Sequence, residues 1–178
     1  LDAPATRPVP NQPSSIRAPR VSSSGTEVIF VRHGHSAHTE KGLVAGGDGA
    51  DPELSELGFM EAEATAEFIS KAPAAWKLSL ANPIVISSDM LRTRQTATAI
   101  ANRLGVELKI EPRIREVYFG EWNGLTNEEL FSKDQQLLDS WQGSVDFRPP
   151  GGESVNDLLR RVSPFIDELR EQYANRTV

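Results

Sequence analysis

Short runs of branched, apolar residues alternate with helical patterns along this chain of 178 residues. The runs are EVIFV at 27–31, PIVIS at 83–87 and VELKI at 106–110, and each has the length and the side chains of a buried strand. Strands that alternate with helices are joined by crossover connections, so neighbouring strands run parallel. The sequence therefore predicts an α/β fold of three layers, with helices on both faces of a mostly parallel central sheet.

Helix signals separate and follow these strands. Polar N-cap residues, capping boxes and a closing glycine mark the helix ends, and apolar residues recur at helical spacing between them. The predicted helices lie at 55–72, with Ser55 as N-cap; at 89–104, capped by Ser88 or Asp89 and closed by Gly105; from Thr126 towards Trp141; and from Ser154 to about Asn175.

The first and the last of these helices carry further signals. Leu57, Met60, Ala64 and Phe68 are spaced so that they share one face of the first helix, as in a stripe that packs on a core. Pro164 lies inside the last helix. Because proline has no N–H and its ring crowds the preceding turn, it predicts a kink there or a division into two helices.

Residues 1–25 differ in composition from the rest of the chain. They contain five prolines and five serines and almost no apolar periodicity, so they cannot bury enough surface to offset their ordering entropy. We interpret 1–25 as a linker or a disordered tail. Residues 26–178 have the length of one domain with a full core.

The overall charge and composition exclude several classes of partner. A net charge of −6 argues against nucleic acid, because phosphate backbones favour basic surfaces. No apolar run approaches the roughly 20 residues that span a bilayer, and no signal peptide precedes the first strand. We therefore expect a cytoplasmic location and neither nucleic acid nor membrane bound through this domain. The chain has no cysteine, which excludes disulfides and thiolate chemistry.

All three histidines of the chain, His33, His35 and His38, lie within six residues after the first predicted strand. Their His-x-His-x-x-His spacing is that of metallo-β-lactamase-type hydrolases, but Ala37 stands where that pattern has aspartate. A zinc site of that kind also needs further histidine or aspartate ligands, and the chain has no other histidine. The metal interpretation is therefore the weaker one.

The flanking residues favour phosphoryl chemistry instead. In open parallel sheets the reactive groups collect at the carboxyl ends of strands, where Arg32 and His33 stand. A guanidinium offers a planar fork that matches phosphate oxygens, and a neutral imidazole can attack phosphorus and carry the phosphoryl group. Gly34 lets the backbone approach a ligand closely.

Five short motifs follow one another along the chain. They are VRHGHS at 31–36, LSELG at 54–58, SSDMLRTRQTA at 87–97, REVYFGEWNG at 115–124 and PPGGES at 149–154. This series resembles the histidine phosphatase superfamily, which includes cofactor-dependent phosphoglycerate mutases and acid phosphatases. The resemblance runs from about Glu27 to the last residue. It implies a phosphoglycerate mutase-like fold and a phosphohistidine mechanism, with a small phosphorylated substrate and neither metal nor cofactor.

The resemblance also implies roles for individual residues. His33 matches the nucleophile, Arg32 and Arg92 match the phosphate-binding arginines, and Glu116 matches the acid that protonates the leaving alcohol. His35 stands where the family usually has Glu or Gln, and Thr39 where Asn is common. The candidate substrate contacts are His35, Ser36, Thr39, Gly46, Gly152 and Glu153.

One implied residue does not occur in the chain. The family has a second histidine on a loop after a later strand, but no histidine follows His38, and Arg176–Val178 looks like the first step into that strand. Two explanations stay open. We favour the first, in which the 178 residues are part of a longer chain and the domain is incomplete at its C-terminal end; in the second, the protein binds a phosphorylated ligand without turning it over.

The segment from Glu116 to Gly151 is short, whereas mutases of the family carry a long insertion there. VYFGEWNGLT and RPPGGESVNDLLRRV resemble α-ribazole-phosphatase-like domains and the phosphatase part of bifunctional ribonuclease H/acid phosphatase proteins. We therefore predict a metal-independent phosphomonoesterase of the histidine acid phosphatase type. A phosphoglycerate mutase and a non-catalytic phospholigand-binding module are the alternatives.

Overall fold

The computed structural model describes residues 25–76 and 80–178, without the side chains of 72–76, 134 and 142. Except for Gly25, the predicted linker at 1–25 lies outside these residues. The elements in chain order are helix α1 at Ala37–Glu40, α2 at Glu56–Trp76, strand β1 at Val85–Ser87, α3 at Leu91–Leu104, β2 at Leu108–Ile110, 3-10 turns at Pro112–Ile114 and Gly120–Trp122, α4 at Asn127–Gly143 and α5 at Val155–Gln172.

The regular strands β1 and β2 are parallel neighbours. Val85 is paired with Leu108 and Ser87 with Ile110, and α3 forms the crossover between the two strands. Helix α3 packs on both strands, and α2 packs on α3. The α/β class and the parallel pairing predicted from the sequence are therefore confirmed, although each strand covers only three residues.

The first predicted strand, EVIFV, is not a regular strand. Only its first part pairs: Glu27 donates its N–H to the Arg176 carbonyl at 3.0 Å, and Ile29 donates to the Val178 carbonyl at 2.8 Å. Within the described residues, Phe30 forms no backbone hydrogen bond and is 84% exposed. The prediction of a buried strand over 27–31 was wrong because pairing with the 176–178 segment ends at Ile29.

Residues 176–178 pair on their second side as well. Thr177 donates its N–H to the Ala81 carbonyl at 3.0 Å and accepts at its own carbonyl from Ile84 N–H at 2.9 Å. Arg176–Val178 therefore lies between the Glu27–Ile29 segment and the segment that leads into β1, in parallel with Glu27. The prediction that Arg176–Val178 begins a strand agrees with this pairing.

Helix α2 begins as predicted but buries a different face. Ser55 Oγ accepts the Gly58 N–H at 3.2 Å, which confirms the N-cap. The predicted apolar stripe is exposed, at 59% for Met60 and 48% for Phe68, whereas Ala62 and Ala66 are buried. The core face was mispredicted because close packing on α3 selects small residues rather than the largest apolar ones.

The start of α3 differs from the prediction, and its end agrees. The helix starts at Leu91, and its first N–H is donated to the Asp51 carboxylate at 2.8 Å, not to Ser88 or Asp89. Asp89 is instead an ion-pair partner of another segment. Gly105 closes the helix in the left-handed conformation, with φ 67°.

Both later helices open with the predicted capping boxes. In α4 the Thr126 hydroxyl and the Glu129 carboxylate exchange hydrogen bonds with the backbone of each other, and in α5 Ser154 and Asp157 do the same. Pro164 does not divide α5, which continues to Gln172. The division into two helices is therefore not found.

Two apolar clusters stabilise the arrangement. One joins α2 and α3 through Ala66, Ile69 and Ile100. The other is built on Trp122, Leu130 and Leu138, and it packs the Gly120–Trp122 turn against α4. Within 25–76 and 80–178, no helix combines the length and the apolar character that crossing a bilayer requires.

Candidate active site

The loop that carries His33 lies directly on the start of α2. A Cβ on Gly34 would come within 2.5 Å of the Gly58 carbonyl oxygen, and a Cβ on Gly58 would come within 1.9 Å of the His35 carbonyl oxygen. Any side chain at either glycine would therefore force the two backbones apart. This contact explains why the LSELG motif accompanies VRHGHS in the sequence.

His35 is held by the same helix. Its N–H is donated to Glu61 Oε2 at 2.7 Å, and its Nδ1 lies 2.9 Å from Ser55 Oγ. Ser55 in turn donates its N–H to the His35 carbonyl at 2.9 Å. The imidazole of His35 is thus held against the start of α2 and is partly exposed to solvent.

Thr96 on α3 holds the loop from the other side. Its hydroxyl oxygen accepts the Gly34 N–H at 3.1 Å and donates to the Arg92 carbonyl at 2.9 Å. Because Thr96 is 4% exposed, both bonds are shielded from water. Thr96 therefore links the His33–Gly34 peptide to the helical turn that bears Arg92, a role that was not predicted from the sequence.

The tautomer of His33 follows from its two neighbours. Nδ1 lies 2.7 Å from the Gly34 carbonyl, which can only accept, so Nδ1 carries the proton. Arg92 Nε donates to Nε2 at 3.2 Å, so Nε2 presents a lone pair. This arrangement is that of a neutral imidazole with a free lone pair at Nε2, while the role of His33 as nucleophile stays a prediction.

Burial lowers the pKa of His33 from its ordinary value of 6.5. The hydrogen bond to the Gly34 carbonyl opposes this effect, the charges of Arg92 and Arg32 lower the pKa further, and the charge of Glu116 raises it. The net direction favours the neutral imidazole, the form that can attack phosphorus.

Arg92 is buried, and no carboxylate of the described residues forms an ion pair with it. It is 1% exposed, its Nη2 donates to the Ala45 carbonyl at 3.1 Å, and its Nη1 has no hydrogen-bond partner among the described residues. Burial lowers the pKa of this guanidinium. An unpaired buried cation is costly, so the site is complementary to an anion placed beside Nη1 and Nε2 of His33.

Arg32 and Glu116 border the same place and are exposed to solvent. Their charges act on His33, and the charge of Glu116 also acts on Arg92. Glu116 Oε1 accepts the Val117 N–H at 2.9 Å. The structure therefore brings together the four residues to which the resemblance assigned chemistry.

The candidate substrate contacts divide into two groups. His35 and Gly46 lie on loops that border His33 and Glu116, since Gly46 packs against the Val117 carbonyl. The others have structural partners: Ser36 caps α1 and bonds Thr39, Gly152 packs under the Tyr118 carbonyl, and Glu153 is paired with Arg161. Substrate contact by these six residues remains a prediction.

The three histidines do not converge on one point. The ring of His33 is engaged by Arg92 and the Gly34 carbonyl, and the ring of His35 by Ser55. Across residues 25–76 and 80–178 no group of three or more His, Cys, Asp or Glu side chains is arranged to hold a metal ion.

An apolar slot of about 460 Å³ runs beside β1. Helices α3 and α5 both contribute to its walls, and His33 and Val178 also border it. Such a lining does not suit a phosphate, so we expect the predicted phosphate-binding site on the Arg92 side of His33. The residues that line the slot include Phe30, Val31, Ile84, Val85, Ile86 and Thr177.

A family model described as histidine phosphatase superfamily (branch 1) matches residues 28–178. The chain belongs to the histidine phosphatase superfamily. The five motifs that carried the resemblance all lie within the matched residues.

Curated relatives with this domain include several phosphatases. Glucosyl-3-phosphoglycerate phosphatase of Mycobacterium tuberculosis is 30% identical over 142 residues, which are 80% of this chain and 59% of that protein. Phosphoserine phosphatase 1 of Hydrogenobacter thermophilus is 32% identical over 155 residues, 85% of this chain and 68% of that protein. A bifunctional protein of Mycobacterium tuberculosis is 30% identical over 153 residues, 86% of this chain but 40% of that protein.

A solved structure of a mycobacterial glucosyl-3-phosphoglycerate phosphatase in complex with VO3 is also similar to this chain. It superposes on this chain with a TM-score of 0.68 at 29% identity, over 82% of this chain and 63% of that chain. This chain thus spans about three fifths of the length of the mycobacterial phosphatase. The likeness confirms the phosphoglycerate mutase-like α/β fold predicted from the sequence.

Proposed function

We propose that this chain is a metal-independent phosphomonoesterase that passes a phosphoryl group from a small phosphorylated metabolite to Nε2 of His33 and then to water. One observation carries the proposal: Nε2 presents its lone pair beside a buried guanidinium that has an unpaired N–H group. A dianionic phosphoryl group placed there supplies the missing acceptor and is attacked by the adjacent nitrogen.

The residues divide the chemistry between them. On binding, Arg92 turns its donors from Nε2 to the phosphoryl oxygens, and Arg32 adds a second positive charge at the open side. Nε2 then forms the N–P bond while the P–O bond to the alcohol breaks, and Glu116 gives its proton to the departing oxygen. In the second step water attacks the phosphorus of the phosphohistidine and gives a proton to the Glu116 carboxylate while the N–P bond breaks, which releases inorganic phosphate and restores both the imidazole and the acid.

The names of the relatives support a metabolite as substrate rather than a macromolecule. Glucosyl-3-phosphoglycerate and phosphoserine are small monoesters with an additional negative charge. Phosphatases among the matched relatives favour hydrolysis over mutase-type transfer. Assignment to the histidine acid phosphatases and a cytoplasmic location belong to this proposal and need a pH profile and fractionation of cells, respectively.

A second candidate is a module that binds phosphorylated ligands without turnover. The observation that favours it is the buried guanidinium of Arg92, because it would hold a phosphate dianion whether or not an ester bond is cleaved. In that case inorganic phosphate should raise the melting temperature, but no ester should be cleaved.

Hydrolysis of p-nitrophenyl phosphate in excess EDTA, with His33→Ala as the control, separates these functions. Turnover that survives chelation and is lost in the variant supports the esterase. If turnover requires an added divalent metal, the metal-independent mechanism is refuted. Folded protein that is stabilised by phosphate but cleaves nothing supports the binding module instead.

A further inference from the structure

Arg161 on α5 uses every N–H of its guanidinium on one small region. Its Nη1 donates to the carbonyls of Arg113 and Arg115 at 2.7 and 2.8 Å, and its Nη2 donates to the Glu116 carbonyl at 2.9 Å. The remaining donors form a bidentate pair with Glu153, both bonds being 2.8 Å long. All five donors of the side chain are thereby satisfied.

The ion pair is shielded from solvent. The side chains of Arg161 and Glu153 are 19% and 10% exposed. Glu153 Oε2 also accepts the Tyr118 N–H at 3.3 Å, and the Arg161 guanidinium lies 5.1 Å from the centre of the Tyr118 ring. The pair therefore binds the backbone on both sides of Glu116, from Arg113 to Tyr118.

Glu116 itself has little else to hold it. Its side chain is exposed, and the only bond its carboxylate receives from the described residues is that of the adjacent Val117 N–H. The position of the carboxyl group is consequently set by the peptide to which it is attached. That peptide is the one whose carbonyl Arg161 binds.

We propose that the Arg161–Glu153 pair is a positioning device that holds the Glu116 peptide so that its carboxyl group reaches the leaving oxygen. The inference rests on the proposed function, since it assigns Glu116 the role of acid. It also gives the PPGGES motif a function: Glu153 neutralises the arginine that orients the acid rather than contacting the substrate.

Two substrates of similar shape distinguish a positioning role from a merely structural one. Phenyl phosphate has a strongly basic leaving group, phenoxide, which needs a proton as it departs. The leaving group of 2,4-dinitrophenyl phosphate is a weakly basic anion that departs without one. The ratio of the two kcat/KM values does not depend on the concentration of folded enzyme. Partial unfolding of a variant therefore cannot change this ratio.

The variants are Arg161→Lys, which loses the planar fork, and Glu153→Gln, which keeps the acceptor but loses the charge. Glu116→Gln sets the ratio expected when the acid is absent. The matched control is Glu168→Gln, because Glu168 also lies on α5 and binds a residue of the same loop, Arg113, but does not bind the Glu116 peptide.

We expect Arg161→Lys to lower the kcat/KM ratio of phenyl to dinitrophenyl substrate by roughly tenfold or more, since small misplacements of a catalytic group are costly. Glu153→Gln should lower it in the same direction, and Glu168→Gln should leave it unchanged. Equal losses on both substrates in an active protein would overturn the inference and leave the proposed function standing. If the unchanged chain cleaves neither substrate, both are overturned.

Discussion

Replacing Thr96 with valine removes one hydroxyl and preserves the shape of the side chain. In the native protein that hydroxyl accepts the buried Gly34 N–H at 3.1 Å, and this N–H forms no other hydrogen bond with the described residues. Valine would leave this N–H without an acceptor, which costs roughly 1–3 kcal/mol in the free energy of unfolding. The lost bond to the Arg92 carbonyl adds little, because that carbonyl keeps its place in the helix.

Thr98→Val is the matched control for this prediction. Thr98 lies on the same helix and its hydroxyl also donates to the carbonyl four residues earlier, that of Arg94, at 2.7 Å, but it is exposed and accepts no loop N–H. We expect its substitution to change the stability by less than about 0.5 kcal/mol. Both β-branched replacements have the same effect on helix propensity, so propensity cancels in the comparison.

Urea denaturation followed by circular dichroism measures the difference, provided that both variants share the same m-value. Thr96→Ser should recover most of the stability, because the serine hydroxyl can reach the same two partners. If Thr96→Val and Thr98→Val lower the free energy of unfolding equally within error, the hydrogen bond between Gly34 and Thr96 does not stabilise the fold as described.

Three further predictions concern the same site. Gly58→Ala should lower the free energy of unfolding by roughly 1–3 kcal/mol or more, because the new Cβ would lie 1.9 Å from a backbone oxygen. Gly143→Ala is the control, since a Cβ there meets open space, and thermal melts should show no such loss for it. Arg92→Gln should abolish the increase in melting temperature caused by inorganic phosphate, and the exposed Arg94→Gln should keep it; an equal response in both would contradict the anion site. Because burial lowers the pKa of His33 in the folded protein, the imidazole of the unfolded chain is protonated first as the pH falls, so stability should decrease as the pH drops through 6.5. Denaturation at several pH values should show a smaller decrease for His33→Gln.

Local patterns in the sequence predicted the features that depend on short stretches. The capping boxes at Thr126 and Ser154, the N-cap at Ser55 and the closing Gly105 each involve residues within one turn, and all are found. The parallel pairing of β1 and β2 also follows from their connection by a single helix. The setting of the His33 ring depends in part on a neighbour in its motif, the Gly34 carbonyl, and in part on Arg92 of a distant motif.

The misses involve contacts between distant segments. The buried face of α2 carries Ala62 and Ala66 beside Ile69. The small size of the alanines matters only once the helix packs against α3, so hydrophobicity pointed to Met60 and Phe68 instead. The cap of α3 comes from Asp51, which lies 40 residues earlier in the chain. No local signal specifies such a partner.

The roles of Thr96 and Arg161 were missed for the same reason. Both bind backbone groups of remote loops, Gly34 in one case and Arg113–Glu116 in the other. The signal that could have found Thr96 is its place in SSDMLRTRQTA, four residues after Arg92 and therefore on the same helical face. For Arg161 the signal is weaker, since an arginine on an amphipathic helix is ordinarily solvated.

Trapping of the phosphorylated protein tests the central claim most directly. The chain is mixed with a radiolabelled phosphomonoester in excess EDTA, quenched in alkali and digested, and the label is located by mass spectrometry. We predict an acid-labile, alkali-stable phosphoryl group on Nε2 of His33, absent from His33→Gln. Turnover without label on His33, or label on a serine, threonine or aspartate, would contradict the phosphohistidine mechanism.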